Sequence, residues 1–269
     1  MMYELNKQDF DMVMPLLETG FIQPEVLSII QGNNPGWIFV DCKIGCKTAL
    51  VWSQGMQGFY LIGDESNHEC LQHLNQYITD HLSSRMKSKG LFYFEISGSS
   101  DKWKLDNIFA ERELSHWVQY VFKYFKNEKL LVSHIDGYDI IPVVIDEFLA
   151  ADLQNKQLFM NAIDLFWGSV DDFRSMGIGY IALHGNEVVS VCYTSFITND
   201  TRAIGIETKP EHQHKGLGRQ LAARVVNTII DQGSIPYWDC TSDNEGSKRI
   251  AEKLGFVRDY QYSCVGFPI

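Results

Sequence analysis

The sequence predicts an α/β protein with a mixed sheet, built as two copies of one topology. Each half runs through helical patterns, three strand-like runs, a long amphipathic stretch, a strand, a helix and a last strand. At 45% hydrophobic residues in 269, the chain can bury one large core or two ordinary ones. Tight-turn dipeptides, Gly185-Asn186 and Asn199-Asp200, fall between the strand runs of the second half.

Taken in order, the first half gives helical patterns at about 7 to 19 and 24 to 31. Three strand runs follow, GWIFVD (36 to 41), TALVWS (48 to 53) and FYLIG (59 to 63), separated by turn residues. The amphipathic HECLQHLNQYITDHLSSRMKSKG closes at Gly90; then come LFYFEIS (91 to 97), a helix at about 101 to 113 and the alternating HWVQYVFKY (116 to 124). In the second half the helical patterns fall at about 146 to 153 and 156 to 175, and the strands at GYIALH (179 to 184), EVVSVCYTSF (187 to 196) and RAIGIET (202 to 208). A helix after Gly218 ends at Gly233, followed by IPYWDC (235 to 240), a helix at about 243 to 254 and YQYSCVGF (260 to 267). The domains expected are 1–126 and 127–269. The aromatic residues Trp37, Trp52, Tyr60, Phe92, Tyr93 and Phe94 read as core of the first, which can also close one side of a substrate cleft.

The formal net charge of −11 weighs against nucleic acid as partner. There are 11 basic against 15 acidic side chains up to residue 126 and 12 against 19 beyond it, so neither half is a basic module. The start MMYELNKQDF has no signal-peptide pattern and no 18-residue window is free of charge, so neither a leader nor a membrane span is expected, and a cytoplasmic location is. Six scattered cysteines, several in apolar runs, read as reduced thiols. Cys42, Cys46, His68, Cys70 and His73 lack the spacing of paired CxxC knuckles, so a turn and a core-facing helix are the reading and no metal is expected.

The halves differ most where chemistry is expected. Between third strand and long helix the second half has KPEHQHKGLG, the first only GDESNHEC. A helix N-terminus presents unpaired N–H groups and about half a unit of positive charge, and glycines at its entry let a phosphate approach the backbone. Gly216 and Gly218 give that access, with positive charge from Lys215, His212 and His214; a plain strand-to-helix turn is the alternative. No GxxxxGK[ST] is present, and GIGYIA (177 to 182) leads into a strand rather than the helix a dinucleotide fingerprint needs. Downstream, Ser242 and Glu245 stand as a capping box for a helix with Ser247, Ile250, Ala251 and Leu254 on one face.

Together, strand, Q-x-x-G-x-G, helix, strand, N-x-x-S and K-L-G-F, from Tyr180 to Val257, resemble the GCN5-related N-acetyltransferase (GNAT) family. The fuller PYWDC and AEKLGF segments, with FRSMGIGY ahead, look closest to its zwittermicin A resistance-type subgroup. The resemblance implies a tandem GNAT-like fold with a degenerate N-terminal copy, and acetyl-CoA as cosubstrate. It places Gln213, His214, Lys215, Gly216, Leu217 and Gly218 on the pyrophosphate loop, with Arg219 at the first helical position. It also places Ile206, Glu207 and Thr208 beside the pantetheine arm, where the strand bulges from its parallel neighbour, and Asn244 and Ser247 against the coenzyme.

The implied chemistry is attack of an amine on the thioester, with a main-chain oxyanion donor at Glu207 or Thr208. Glu207 is the first candidate base and Asp239 the second; a solvated carboxylate and a buried loop partner are their structural alternatives. Many members carry a Tyr where this chain has Ala251, leaving Tyr237, Tyr260 and Tyr262 as stand-in acids, although a thiolate can leave unprotonated. The expected function is N-acetylation of a small polar amine, cationic amines being drawn by the acidic surface. The alternative is a coenzyme A-binding sensor without transferase activity. A tandem tRNA-dependent aminoacyl transferase shares the architecture but not the charge.

Overall fold

Apolar runs bounded by Gly, Asn and Asp become strands, and amphipathic runs become helices, in the computed structural model, which describes residues 2–17, 23–98, 101–126 and 128–269. In chain order the first half holds β1 (Tyr3–Glu4), a 3₁₀ segment (Lys7–Leu16), α1 (Pro24–Ile30), β2 (Gly36–Val40), β3 (Thr48–Ser53) and β4 (Gly58–Gly63). It continues with α2 (His68–Tyr77), a π-helical turn (Ile78–Leu82), α3 (Ser83–Ser88), β5 (Tyr93–Gly98), α4 (Leu105–Ile108) and β6 (Ser115–Lys123). The second half holds β7 (Asp139–Pro142), α5 (Ile145–Ala150), α6 (Gln157–Phe166), α7 (Val170–Met176), β8 (Gly179–His184), β9 (Glu187–Ile197) and β10 (Thr201–Thr208). It ends with α8 (Leu217–Asp231), β11 (Ile235–Thr241), α9 (Glu245–Lys253) and β12 (Val257–Pro268).

Five elements depart from the sequence reading, each for a local reason. The helix expected over 7 to 19 is a 3₁₀ segment carrying Pro15, which cannot donate to an α-helical ladder; its expected residues 18 and 19 lie outside the described residues. The helix expected over 101 to 113 shrinks to a 3₁₀ turn and α4, because Lys104 takes a left-handed conformation (φ 45°) between them. The helix expected over 156 to 175 is broken after Phe166, where Ser169 caps α7 by accepting from Asp172 N at 3.1 Å. The short β1 and β7 carry too little alternation to be read from sequence.

The chain divides into two compact units, Met1–Gln119 with Gln261–Ile269, and Tyr120–Tyr260. The boundary expected at 126/127 thus falls earlier, Asn127 itself lying outside the described residues, and the last nine residues belong with the first unit. The reason is packing. Cys264–Pro268 pair antiparallel with β5, and buried Phe267 packs on Phe94 and Phe109 with ring centroids 5.2 and 5.1 Å apart.

In the first unit, β1 to β4 run antiparallel in order, β5 joins β4 in parallel, and the chain's end flanks β5. Its core joins Phe39, Trp52, Phe59 and Phe94 to Leu74, Ile78 and Met86 of the helices. Trp37 stacks on Trp52 at 3.8 Å and Tyr60 is buried, but Phe92 and Tyr93, expected in the core, are exposed.

The second unit repeats that order: β7, β8, β9 and β10 are antiparallel neighbours and β11 joins β10 in parallel. Residues 188–197 of β9 are buried without a break, as expected when both faces of a sheet are covered. One face carries α8 through Leu221, Val225 and Ile229 against Val189 and Cys192. Phe159, Ile163 and Phe173 of α6 and α7 cover the other, against Val188, Val191 and Tyr193. All six cysteines are free thiols. Among the described residues no group of three or more His, Cys, Asp or Glu side chains is placed to hold a metal ion, and no helix is long and apolar enough to cross a membrane.

Candidate functional site

The site begins where two parallel strands part. β10 pairs with β11 only over Thr201–Ala203; from Ile204 to Thr208 it stays with β9 alone, after a register shift between Arg202 and Ile204. Main-chain groups of β10 that would face β11 are thereby left open to an extended ligand.

The loop that follows opens the next element. Its residues His214 (φ 61°) and Gly216 (φ 86°) both adopt left-handed conformations, which turn the chain into α8 with Gly216 as N-cap and no side-chain cap. Helix geometry leaves the N–H groups of Leu217, Gly218 and Arg219 without intrahelical partners at the positive end of a 15-residue helix. Since α8 starts at Leu217, Arg219 is its third position, not the first expected. Gly218 has a packing reason, because a Cβ there would meet Ile206 Cδ1 at 3.0 Å and Ile250 Cδ1 at 3.2 Å. Gln213 fastens the loop to its own strand by donating to Thr208 O at 3.1 Å.

Across from this terminus, α9 is capped by Asn244, whose Oδ1 accepts from Ser247 N at 3.0 Å. The capping box expected of Ser242 and Glu245 does not form, because Glu245 pairs with Lys248 at 2.6 Å and Lys248 also donates to Ser242 O. Ser247 Oγ accepts from buried Trp238 Nε1 at 2.8 Å. Asn244 and Ser247 therefore have structural duties at the places where coenzyme contacts were expected.

These elements enclose a cavity of about 640 Å³. Of the residues expected at a coenzyme, Ile206, Thr208, Gln213, His214, Gly216, Leu217, Gly218, Arg219, Asn244 and Ser247 all line it. Lys215 does not: its ammonium donates to Tyr138 Oη at 2.9 Å instead. Sequence reasoning missed Arg249 and Lys253 of α9 as lining residues, although a spacing of four puts them on one helical face. Five basic side chains (His212, His214, Arg219, Arg249, Lys253) and one carboxylate (Glu207) thus meet at one cavity of an acidic chain.

Glu207 is exposed, and its carbonyl accepts from Ser190 Oγ at 3.0 Å, which lies 2.6 Å from Thr208 Oγ1. Burial foremost, then the charges of Cys192 and Glu207, push the Tyr193 hydroxyl above its usual range. Asp239, the second candidate base, is not among the lining residues, and neither are Tyr237, Tyr260 and Tyr262. Ala251 is fully buried against α8, so its place offers no room at the cavity wall. His212 was read only as a source of charge. Its Nδ1 lies 2.9 Å from Tyr138 Oη, and burial, then Lys215 and His184, hold it below the usual imidazole range.

The first unit makes the contrast. There Asn67 caps α2 by accepting from Cys70 N at 3.3 Å, while its Nδ2 donates to Asp41 Oδ2 at 2.8 Å and Thr48 Oγ1 at 3.0 Å.

A family model described as GNAT acetyltransferase matches residues 16–265. The uncharacterized N-acetyltransferase YdfB of Bacillus subtilis (strain 168) is 27% identical over 266 residues, which span 97% of this chain and 96% of that protein. The crystal structure of a GCN5-related N-acetyltransferase-like protein from Streptococcus suis 89/1591 superposes with a TM-score of 0.67 at 18% identity, over 97% of this chain and 98% of the other. A tandem GNAT protein from the clavulanic acid biosynthesis pathway superposes with a TM-score of 0.61 at 12% identity, over 100% and 98%. The fold is therefore the tandem GNAT-like one with a mixed sheet.

Proposed function

This chain belongs to the GNAT acetyltransferase family, whose chemistry is acetyl transfer from acetyl-CoA, and from that premise we propose an N-acetyltransferase acting on the amine of a small polar molecule. One observation carries the reading: the uncapped N-terminus of α8 and the parting of β10 from β11 open into the same cavity. An uncapped helix end suits a diphosphate, and an open strand edge suits the amides of a pantetheine arm. The residues present fit the coenzyme.

In this mechanism the N–H groups of Leu217, Gly218 and Arg219 hold the diphosphate, and β10 from Ile204 to Thr208 holds the arm. Acetyl-CoA supplies an acetyl thioester. Glu207 takes the proton from the attacking amine as the C–N bond forms and the C–S bond breaks. A main-chain N–H at Glu207 or Thr208 donates to the developing oxyanion. The thiolate leaves without an enzymic acid, since a thiol is acidic enough to depart near neutral pH. The acceptor is a free small molecule handled in the cytoplasm, with neither nucleic acid nor membrane as partner; the zwittermicin A resistance-type likeness makes aminopolyols the first class to try. The first unit serves as a copy without a coenzyme site.

A second reading, a coenzyme A sensor, is favoured by buried Ala251 and by the absence of a tyrosine among the lining residues. Isothermal titration with acetyl-CoA and coenzyme A, then thiol release with aminopolyols, polyamines and aminoglycosides, separates them. Amine-dependent thiol release supports the transferase; tight binding with no release from any amine supports the sensor. No binding refutes both.

A further inference from the structure

The cavity holds more positive charge than a diphosphate uses. The N–H groups of α8 and the neighbouring Arg219 account for one doubly charged group. Arg249 and Lys253 remain, on the opposite wall, four residues apart on one face of α9. Among the described residues neither makes an ion pair; Glu245, whose carboxyl senses Arg249, is engaged by Lys248 at 2.6 Å. In a chain of 34 acidic and 23 basic side chains, carboxylates to neutralise them are plentiful, yet among the described residues the only one lining the cavity is Glu207, on β10. The other cavity beside a helix start, in the first unit, is lined by Asp41 and Glu69 as well as Lys47 and His73. The excess of cations belongs to the cavity at α8.

Coenzyme A carries one further anionic group, the phosphate on the ribose 3′ oxygen, which holds nearly two charges at neutral pH. We propose that Arg249 and Lys253 form a subsite for this 3′-phosphate, so that the protein selects the 3′-phosphorylated coenzyme over its dephospho form. The assignment rests on the coenzyme reading above. A guanidinium fork meets two phosphate oxygens at once and an ammonium meets a third, which suits a terminal phosphate better than a bridged one.

The test is titration calorimetry of the whole protein with coenzyme A and with 3′-dephospho-coenzyme A. Wild type is expected to prefer coenzyme A by about tenfold, a preference that shrinks as salt is raised. The double variant Arg249→Ala, Lys253→Ala is expected to reduce it below about twofold while its affinity for the dephospho form stays at the wild-type value, which also reports an intact fold. Lys129→Ala, which removes a surface cation paired with Asp231 elsewhere in the unit, is expected to leave the preference unchanged. Equal wild-type affinity for the two ligands overturns the subsite and leaves the coenzyme reading standing. Equal weakening of both ligands in the double variant also overturns it, because the cations then serve the diphosphate or the fold. Failure of wild type to bind either ligand removes the coenzyme reading itself and the subsite with it.

Discussion

Gly218→Glu sets stability and binding against each other at one residue. Position 218 is the second of α8, and its Cβ would press on the Cδ1 atoms of Ile206 and Ile250 at 3.0 and 3.2 Å, the movable ends of two side chains. Such crowding costs about 1–3 kcal/mol. A carboxylate in the first turn returns about 0.3–1 kcal/mol by facing the helix dipole. The net loss is then about 0–2.7 kcal/mol, a fall in Tm of roughly 0–10 °C for a chain of this size. Binding has no such compensation. The new carboxylate takes the N–H groups meant for the diphosphate and repels it, removing two charge-assisted hydrogen bonds at about 1.5–3 kcal/mol each, so Kd for acetyl-CoA should rise by at least about 100-fold. Calorimetry gives Kd, and thermal melts with and without acetyl-CoA give an independent check, since only a bound ligand raises Tm. A Gly218→Glu protein that still binds within about threefold of wild type would refute the placement of the diphosphate at α8.

Glu207→Gln should lower kcat by roughly 10²–10⁴ with Kd for acetyl-CoA unchanged; an unchanged kcat moves the base elsewhere. Asn244→Ala removes the cap of α9 and should lower stability by about 0.5–2 kcal/mol, read as a drop in denaturation midpoint. The depressed His212 means that the unfolded chain binds a proton more readily than the folded one, so stability should fall as pH drops below the ordinary imidazole range; His212→Asn should flatten that slope in melts at stepped pH. Ala251→Tyr, which restores the family's usual residue, should destabilise by about 1–3 kcal/mol or more without raising thiol release, because position 251 is fully buried under α8.

What could be read from the sequence was what is set locally. Thr48–Ser53 and Gly179–His184 are strands over the residues expected, because apolar β-formers there are bounded by turn residues. The glycine loop was legible for the same reason: left-handed φ at Gly216 and close packing at Gly218 leave a mark on residue type. The break at Ser169 was legible too, in Ser169 and Asp172, but the apolar periodicity running across it masked the cap. The rest depends on residues far apart in the chain. Lys215 turns from the cavity because Tyr138, preceding a strand too short to read, offers it a hydroxyl. Arg249 and Lys253 share a helical face in the sequence, but that this face lines the cavity follows from the packing of α9 on α8 and β11. The placement of Gln261–Ile269 with the first unit follows from Phe267 filling a gap between Phe94 and Phe109, and no local pattern announces it.

The two copies begin the corresponding helix in opposite ways. Both α2 and α8 follow the fourth strand of an antiparallel set and lead to a strand that pairs in parallel, so backbone topology gives each the same positive end. At α2 that end is consumed within the protein: Asn67 takes an N–H, Asp41 and Thr48 hold Asn67 in place, and Glu69 in the first turn adds a negative charge. At α8 the cap is a glycine and the first turn has no acid but carries Arg219. A capped, acidic first turn is the more stable helix start and the poorer anion site. The difference between GDESNHEC and KPEHQHKGLG is therefore an exchange of local stability for an open positive terminus, made in the copy whose fifth strand also parts from its neighbour beyond Ala203.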